Sequence, residues 1–376
     1  MLQDRTTTSG CRTFCMALAM GFLISGISGC ATTKDAQKPV DLVWPLPPEQ
    51  PRVKFVRTVR SEADVGATRN RSDKLKDFLL GRQDEIIPIK KPYGVHADRE
   101  GRLFVTDTGW GKVLVFDFKN KQFSVWGIEG PGLLSKPAGI TSDSQQRIYV
   151  TDLIQKRVVV FDREGNFLLG IGKKGQLERP VGVAVDEKLG RVYVVDVKKH
   201  HIAVFDMKGN RVSTLGRRGA KPGQFNFPTN VAIDRQGKLY VVDSMNFRVQ
   251  IIDPDGRVLR TFGEIGDGLG KFSRPKGIGV DSEGHIYVVD AAFNNFQIFD
   301  QRGRLMLFVG SIGREPGQFW LPGGAYVDDQ NRIYVADQYN FRVQVFQYLG
   351  ERGTGKNRAG TAGPSSAIEE PQNKTG

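Results

Sequence analysis

The chain is poor in the residues from which disulfide frameworks and small catalytic centres are built. Three of its 376 residues are cysteine, Cys11, Cys15 and Cys30, so nothing after position 30 can form a disulfide within the chain. Four are histidine: His96, His200, His201 and His285. That is a thin supply for a zinc site, which needs three or four convergent nitrogen, sulfur or carboxylate ligands. No glycine-rich phosphate loop, serine elbow or cysteine–histidine pair stands in a convincing context, which removes the common nucleotide and acyl-transfer signatures. The apolar run Phe14 to Ile27, fourteen residues, is too short to cross a bilayer comfortably. Acid is scarce relative to base, and the net charge is +13. Such a balance favours anionic partners: nucleic acid, anionic lipid or the acidic polymers of a cell envelope.

The N-terminus selects among these. Arg5 and Arg12 precede the apolar run, which ends in Ile27, Ser28, Gly29 and Cys30. A positive flank, a short apolar core and small residues describe an export signal. The last four residues resemble the bacterial lipobox, in which small residues admit a peptidase and the cysteine thiolate is acylated. Cleavage there would leave Cys30 as the sole cysteine. The resemblance implies a lipoprotein with a signal peptide over 1–29, and Ala31 in place of an Asp implies the outer membrane, facing the periplasm. Residues 30–51, with Pro39, Pro45, Pro47, Pro48 and Pro51, are expected to form an extended tether. Residues 351–376, rich in Gly, Ser, Thr and Asn, are expected to be a disordered tail.

The middle of the chain repeats. Pro92, Pro137, Pro180, Pro228, Pro275 and Pro322 each open a unit, and each is followed by a β-rich run ending in Asp: Asp107, Asp152, Asp196, Asp243, Asp290 and Asp337. A third run follows in every unit and a fourth closes the first five. Four short strands per unit of about 45 residues is the signature of a propeller blade. Turns such as Asp162 to Gly165 and Asp253 to Gly256 supply glycine where φ is expected to be positive. The sixth unit lacks its fourth strand, and an open sheet edge is a liability. Arg52 to Arg60 has strand composition and no other partner, so it is expected to supply that strand. The insertion 61–91 contains an expected amphipathic helix, Ser72 to Leu80, packed over one face.

The pattern Pro-x-Gly-apolar, then apolar-Tyr-Val-x-Asp, then Arg-apolar-x-apolar, resembles the NHL repeat, in six copies from Pro92 to Leu349. The implied fold is all-β, a six-bladed propeller whose last blade is completed by the N-terminal segment. Such propellers place ligand sites on the face that carries the loops entering strand one and joining strands two and three, here called the top. The residues after each Pro would lie near the channel mouth: Tyr93, Ala138, Val181, Thr229, Lys276 and Gly323.

Several site chemistries can be weighed on that frame. Peptidyl amidating lyases resemble this propeller and use three histidines near the channel, yet no histidine here follows a repeat Pro. Calcium-dependent lactonase-like propellers want several oxygens at the mouth. This mouth offers Tyr93, Thr229 and Asn230 without a carboxylate, beside a repelling Lys276. The six repeat aspartates recur in every unit, which marks a requirement of the fold. Five residues after each stands Lys112, Arg157, His201, Arg248, Asn295 or Arg342, so four blades are expected to hold an acid–base pair. No metal and no cofactor are expected.

Charge gathers in the top loops of units two to four: Lys173, Lys174, Arg179, Lys198, Lys199, Arg217, Arg218 and Lys221. Aromatics lie in other top loops, among them Trp110, Trp320 and Tyr339, while Phe247 and Phe341 are expected to pack between blades. Basic charge beside aromatic anchors suits an anionic or protein partner. The resulting expectation is a monomeric, lipid-anchored binding module that engages an envelope protein or an anionic glycan. The top-face candidates are Lys173, Lys174, Lys198, Lys199, Arg217, Arg218, Lys276, Trp110 and Tyr93. The alternative is a metal-dependent hydrolase or lyase working at the channel. Export argues against the RNA binding known for some NHL propellers.

Overall fold

The structure is a computed structural model, and it describes residues 41–66 and 86–350. The expected signal peptide, Cys30, the helix from Ser72 to Leu80 and the tail lie outside the described residues.

Six antiparallel sheets follow one another along the chain. Blade 1 consists of Pro92–Ala97, Leu103–Asp107, Lys112–Asp117 and Gln122–Trp126. Blade 2 runs from Pro137–Ser142 to Phe167–Ile171, blade 3 from Pro180–Asp186 to Arg211–Leu215, blade 4 from Pro228–Ile233 to Val258–Phe262, and blade 5 from Pro275–Val280 to Leu305–Val309. The register repeats: in each of these blades the opening Pro faces the closing Asp of strand two, as Pro92 faces Asp107 and Pro275 faces Asp290.

Blade 6 closes the ring. Its strands Ala325–Val327, Arg332–Asp337 and Arg342–Tyr348 accept Val53–Val59 as the fourth, with Val53 opposite Tyr348 and Val59 opposite Val343. The N-terminal segment therefore supplies the strand the sixth unit lacks. A further pairing follows: Val43–Trp44, within the stretch expected to be tether, adds a fifth strand along Val53 and Lys54. Trp44 meets Phe346 edge to face at 5.7 Å, and that aromatic contact anchors the short strand.

The core is divided among the seams between blades. Tyr149, Val160, Val183 and Phe205 pack together between blades 2 and 3, and Tyr240, Ile251, Phe272 and Phe299 between blades 4 and 5. Strand residues alternate between the two faces of their sheet, so each strand feeds both neighbouring seams. Near the axis the inner strands almost touch. A Cβ on Gly94 would lie 2.2 Å from the Ala138 carbonyl oxygen, and one on Gly139 2.1 Å from that of Val181. In five of the six blades the Pro-x-Gly is thus a packing requirement, since a Cβ would meet the next inner strand; blade 4 has Asn230 at this station.

Candidate functional site: the two ends of the channel

Each repeat Asp is fully buried at the end of strand two. Asp107 accepts the backbone N–H groups of Lys90 and Lys91 on one side and of Gly109 and Trp110 on the other. Asp152 does the same for Ser135, Lys136, Ile154 and Gln155. One carboxylate therefore fastens two top loops together and meets donors that would otherwise be orphaned. Strand three was expected to add an acid–base pair in four blades, and the structure corrects this. Arg248 and Arg342 do reach Asp243 and Asp337, at 2.8 and 2.7 Å. Lys112 instead donates to the carbonyls of Gly127 and Leu134, and Arg157 to that of Pro131. Burial pushes the Asp337 carboxyl above its ordinary range against the pull of its donors, Arg342 among them.

The residue after each Asp closes the top of the channel. Leu153 and Val197 pack with Ala138, Val181 and Tyr93, and Ser244, Ala291 and Gln338 occupy the same station buried. Burial also pushes the Tyr93 phenol above its usual range. Lys276 lies partly under this plug, 3.3 Å from Gln338 Oε1, and burial pulls its ammonium down to about 8. Tyr93 and Lys276, expected near the channel mouth, therefore form part of its seal.

Below the plug lies a cavity of about 250 Å³. Its wall is polar on one side, where His96 Nε2 is 2.7 Å from Ser142 Oγ and the ring lies 4.3 Å from Tyr326, and small on the other, with Ala184, Ala232 and Gly279. Burial holds His96 neutral, down to about 3. The cavity reaches the bottom, where the exposed Asp329 bridges Arg235 at 2.9 Å and Arg99 at 3.9 Å, and Ser144 bonds Glu187. The remaining histidines are dispersed: His200 Nδ1 accepts from Phe227, and His285 Nδ1 meets Asp281. No group of three or more His, Cys, Asp or Glu among the described residues is placed to hold a metal ion.

The top-loop cations divide into two sets. Lys198 pairs with Glu178 at 2.5 Å, and Lys199 donates to the carbonyls of Gly175 and Gln176, so both are committed to loop structure. Lys173, Lys174, Arg217 and Arg218, like Arg179 and Lys221, are exposed with no ion pair among the described residues. Across the seam of blades 6 and 1, cations stand over exposed aromatics. Lys90 Nζ lies 3.3 Å from the Trp110 ring centre, Lys91 is over Tyr339, and Arg314 is over Trp320. Phe247 packs against the seam of blades 4 and 5 as expected. Phe341 does not pack between blades: its backbone is left-handed like that of Phe247, φ 54° against 53°, but its side chain is 54% exposed. Sequence reasoning also missed a set of exposed aliphatics in the top loops, Ile128, Ile154, Met245, Ile265 and Ile312. Their signal was an apolar residue set among glycines and charges, as in Glu264 to Gly270.

This architecture defines a six-bladed β-propeller protein. Its last four blades are NHL repeats: the family model for that repeat matches residues 177–205, 225–252, 272–299 and 319–346. No curated protein matches the chain in sequence. Among solved structures, a streptogramin B lyase is 13% identical with a TM-score of 0.53 over 69% of this chain and 94% of that one. Virginiamycin B lyase from Staphylococcus aureus is 13% identical, with a TM-score of 0.52 over 69% and 95%. An auxiliary nutrient binding protein from Bacteroides thetaiotaomicron is 15% identical, with a TM-score of 0.55 over 69% of each chain. At these identities the likeness is one of fold.

Proposed function

We propose that the protein is an exported binding module of the cell envelope, lipid-anchored at Cys30, whose top face engages an anionic partner. The supporting observation is the contrast between Lys173, Lys174, Arg217 and Arg218, exposed with no counter-ion among the described residues, and Lys198 and Lys199, which the fold has already used. An unpaired surface cation keeps its charge available to a partner and speeds encounter with an acidic one. Trp110, Trp320 and Tyr339 supply flat apolar area on the same face, at blades 6 and 1. The fold itself carries lyases and a nutrient-binding protein alike, so the choice rests on side chains. Here His96, His200 and His285 make separate local contacts, and the channel is sealed at the end where the top loops converge.

Replacing Lys173, Lys174, Arg217 and Arg218 by Glu is expected to abolish retention of the protein on an anionic matrix at physiological salt. The same change at Arg163, Arg257, Arg302 and Arg304, on the opposite face, is expected to leave retention largely intact. Equal losses would remove the top face from consideration. Stoichiometric zinc or calcium in protein purified without chelators would favour a metal-dependent hydrolase or lyase instead.

A further inference from the structure

The apolar side chains of the top face are distributed in a way that charge alone does not explain. Ile128, Ile154, Met245, Ile265, Ile312 and Phe341 are 58, 63, 52, 65, 68 and 54% exposed. They come from the top loops of blades 2, 4 and 6 and from the loops joining blades 1 to 2, 4 to 5 and 5 to 6. Among the described residues, the turns on the opposite face that join strands one to two and three to four expose one large apolar side chain, Leu189, and the link from Trp44 to Val53 exposes Leu46. Scattered exposed aliphatics need no explanation, but their collection on one face does. A protein partner buries a contiguous patch of defined shape. Separate apolar tips carried round a disc and interleaved with bare cations suit a planar surface whose interior is apolar and whose headgroups are negative.

The chain path adds a second argument. Val53–Val59 climbs from the bottom of blade 6 to its top, because Val53 faces Tyr348 and Val59 faces Val343. Val43–Trp44 runs antiparallel beside the lower end of that strand, opposite Lys54 and Val53. Ten residues lie between Cys30 and Asp41. Even fully extended they span no more than about 40 Å. A lipid on Cys30 would hold the propeller within that distance of a bilayer.

We infer that the partner of the top face is the anionic lipid surface itself, with the aliphatic and aromatic tips entering the headgroup layer and the cations pairing with lipid phosphates. This rests on the top-face reading above and narrows it. The protein would then lie flat on its membrane with the channel's bottom mouth turned outward.

Tryptophan fluorescence tests this in the full chain. The chain has four tryptophans; Trp110 and Trp320 are 37% exposed in top loops, and Trp126 is buried. The protein is bound to vesicles of phosphatidylcholine with phosphatidylglycerol, or of phosphatidylcholine alone, each with brominated acyl chains. Quenching is expected in the anionic vesicles, to be lost in the Trp110→Phe/Trp320→Phe variant, and to weaken at high salt. Glu at Lys173, Lys174, Arg217 and Arg218 is expected to lower vesicle affinity about 100-fold or more. Quenching equal in the double Phe variant, or equal in both vesicle types, overturns the lipid assignment. Capture from detergent-dispersed envelopes separates the two readings. A protein or glycan held by the wild type and not by the Glu variant, without quenching, overturns the lipid assignment and leaves the top-face reading standing. Neither quenching nor capture overturns both.

Discussion

The two ends of this propeller are made by the same repeat and have opposite chemistry. At the bottom, the turn between strands one and two satisfies itself. Asp98 accepts the backbone N–H groups of Glu100 and Arg102 and pairs with the Arg102 guanidinium at 2.7 Å, and Asp143 and Asp328 form the matching pairs with Arg147 and Arg332. Tyr149, Tyr240, Tyr287 and Tyr334 donate their hydroxyls to the same column of aspartates. Little is left over for a partner. At the top, the aspartates are spent beneath the surface, on backbone donors, and the loops above them carry charge and apolar tips that the fold does not use. The difference shows where a repeat protein keeps its variable chemistry: in the long loops, because the short turns are fully occupied in holding their own geometry.

The largest test of that contrast compares two aspartates of blade 6. Asp337→Ala would strand the Arg342 side chain, which is wholly buried, and is expected to cost about 3–5 kcal/mol in urea unfolding. Asp329→Ala removes an exposed clamp at the bottom mouth and is expected to cost less than about 1 kcal/mol. Comparable losses would mean that the top staples are not the deeper of the two sets.

Next comes the boundary between the faces. Burial alone lowers His96 from its ordinary 6.5 to about 3, so the unfolded chain binds a proton there that the folded chain refuses. The stability held by neutral His96 is complete above pH 6.5 and is lost as pH falls from 6.5 towards 3, by a few kcal/mol. His96→Gln should flatten this part of the stability–pH curve. A slope unchanged by the substitution would show that the ring is protonated without unfolding.

A smaller effect probes the bottom. Tyr240→Phe leaves Asp234 short of a hydroxyl donor at 2.9 Å and is expected to cost about 1–2 kcal/mol. The smallest separates committed from free cations. Lys199→Ala, which releases two carbonyls, is expected to cost about 1 kcal/mol, while Lys173→Ala stays within about 0.5 kcal/mol. Equal values would undo the division on which the charge-reversal set was chosen.

Much of the fold was legible in advance because it is written in local rules. Strand alternation, a glycine at most tight turns and a Pro-x-Gly at five of the six inner strands recur often enough to count blades, and the missing fourth strand of the last unit pointed to Arg52–Arg60. The site was less legible. Lys198 and Lys173 look alike in sequence, and only the position of Glu178 separates them. Lys276 follows its Pro as Thr229 does, yet burial beside Gln338, 62 residues away, makes it part of a seal. Phe341 sits in the same Asn-Phe-Arg context as Phe247, but one is exposed and the other packs against a seam.

The sequence by itself determined the number of blades, their register and the segment that closes the ring, because each follows from side-chain period and turn chemistry within a few residues. Which cations stay free, which end of the channel is sealed and which apolar tips share a face were decided only by the tertiary structure. Those properties depend on hydrogen bonds and contacts between loops about twenty residues apart and between neighbouring blades, and no local pattern carries that information.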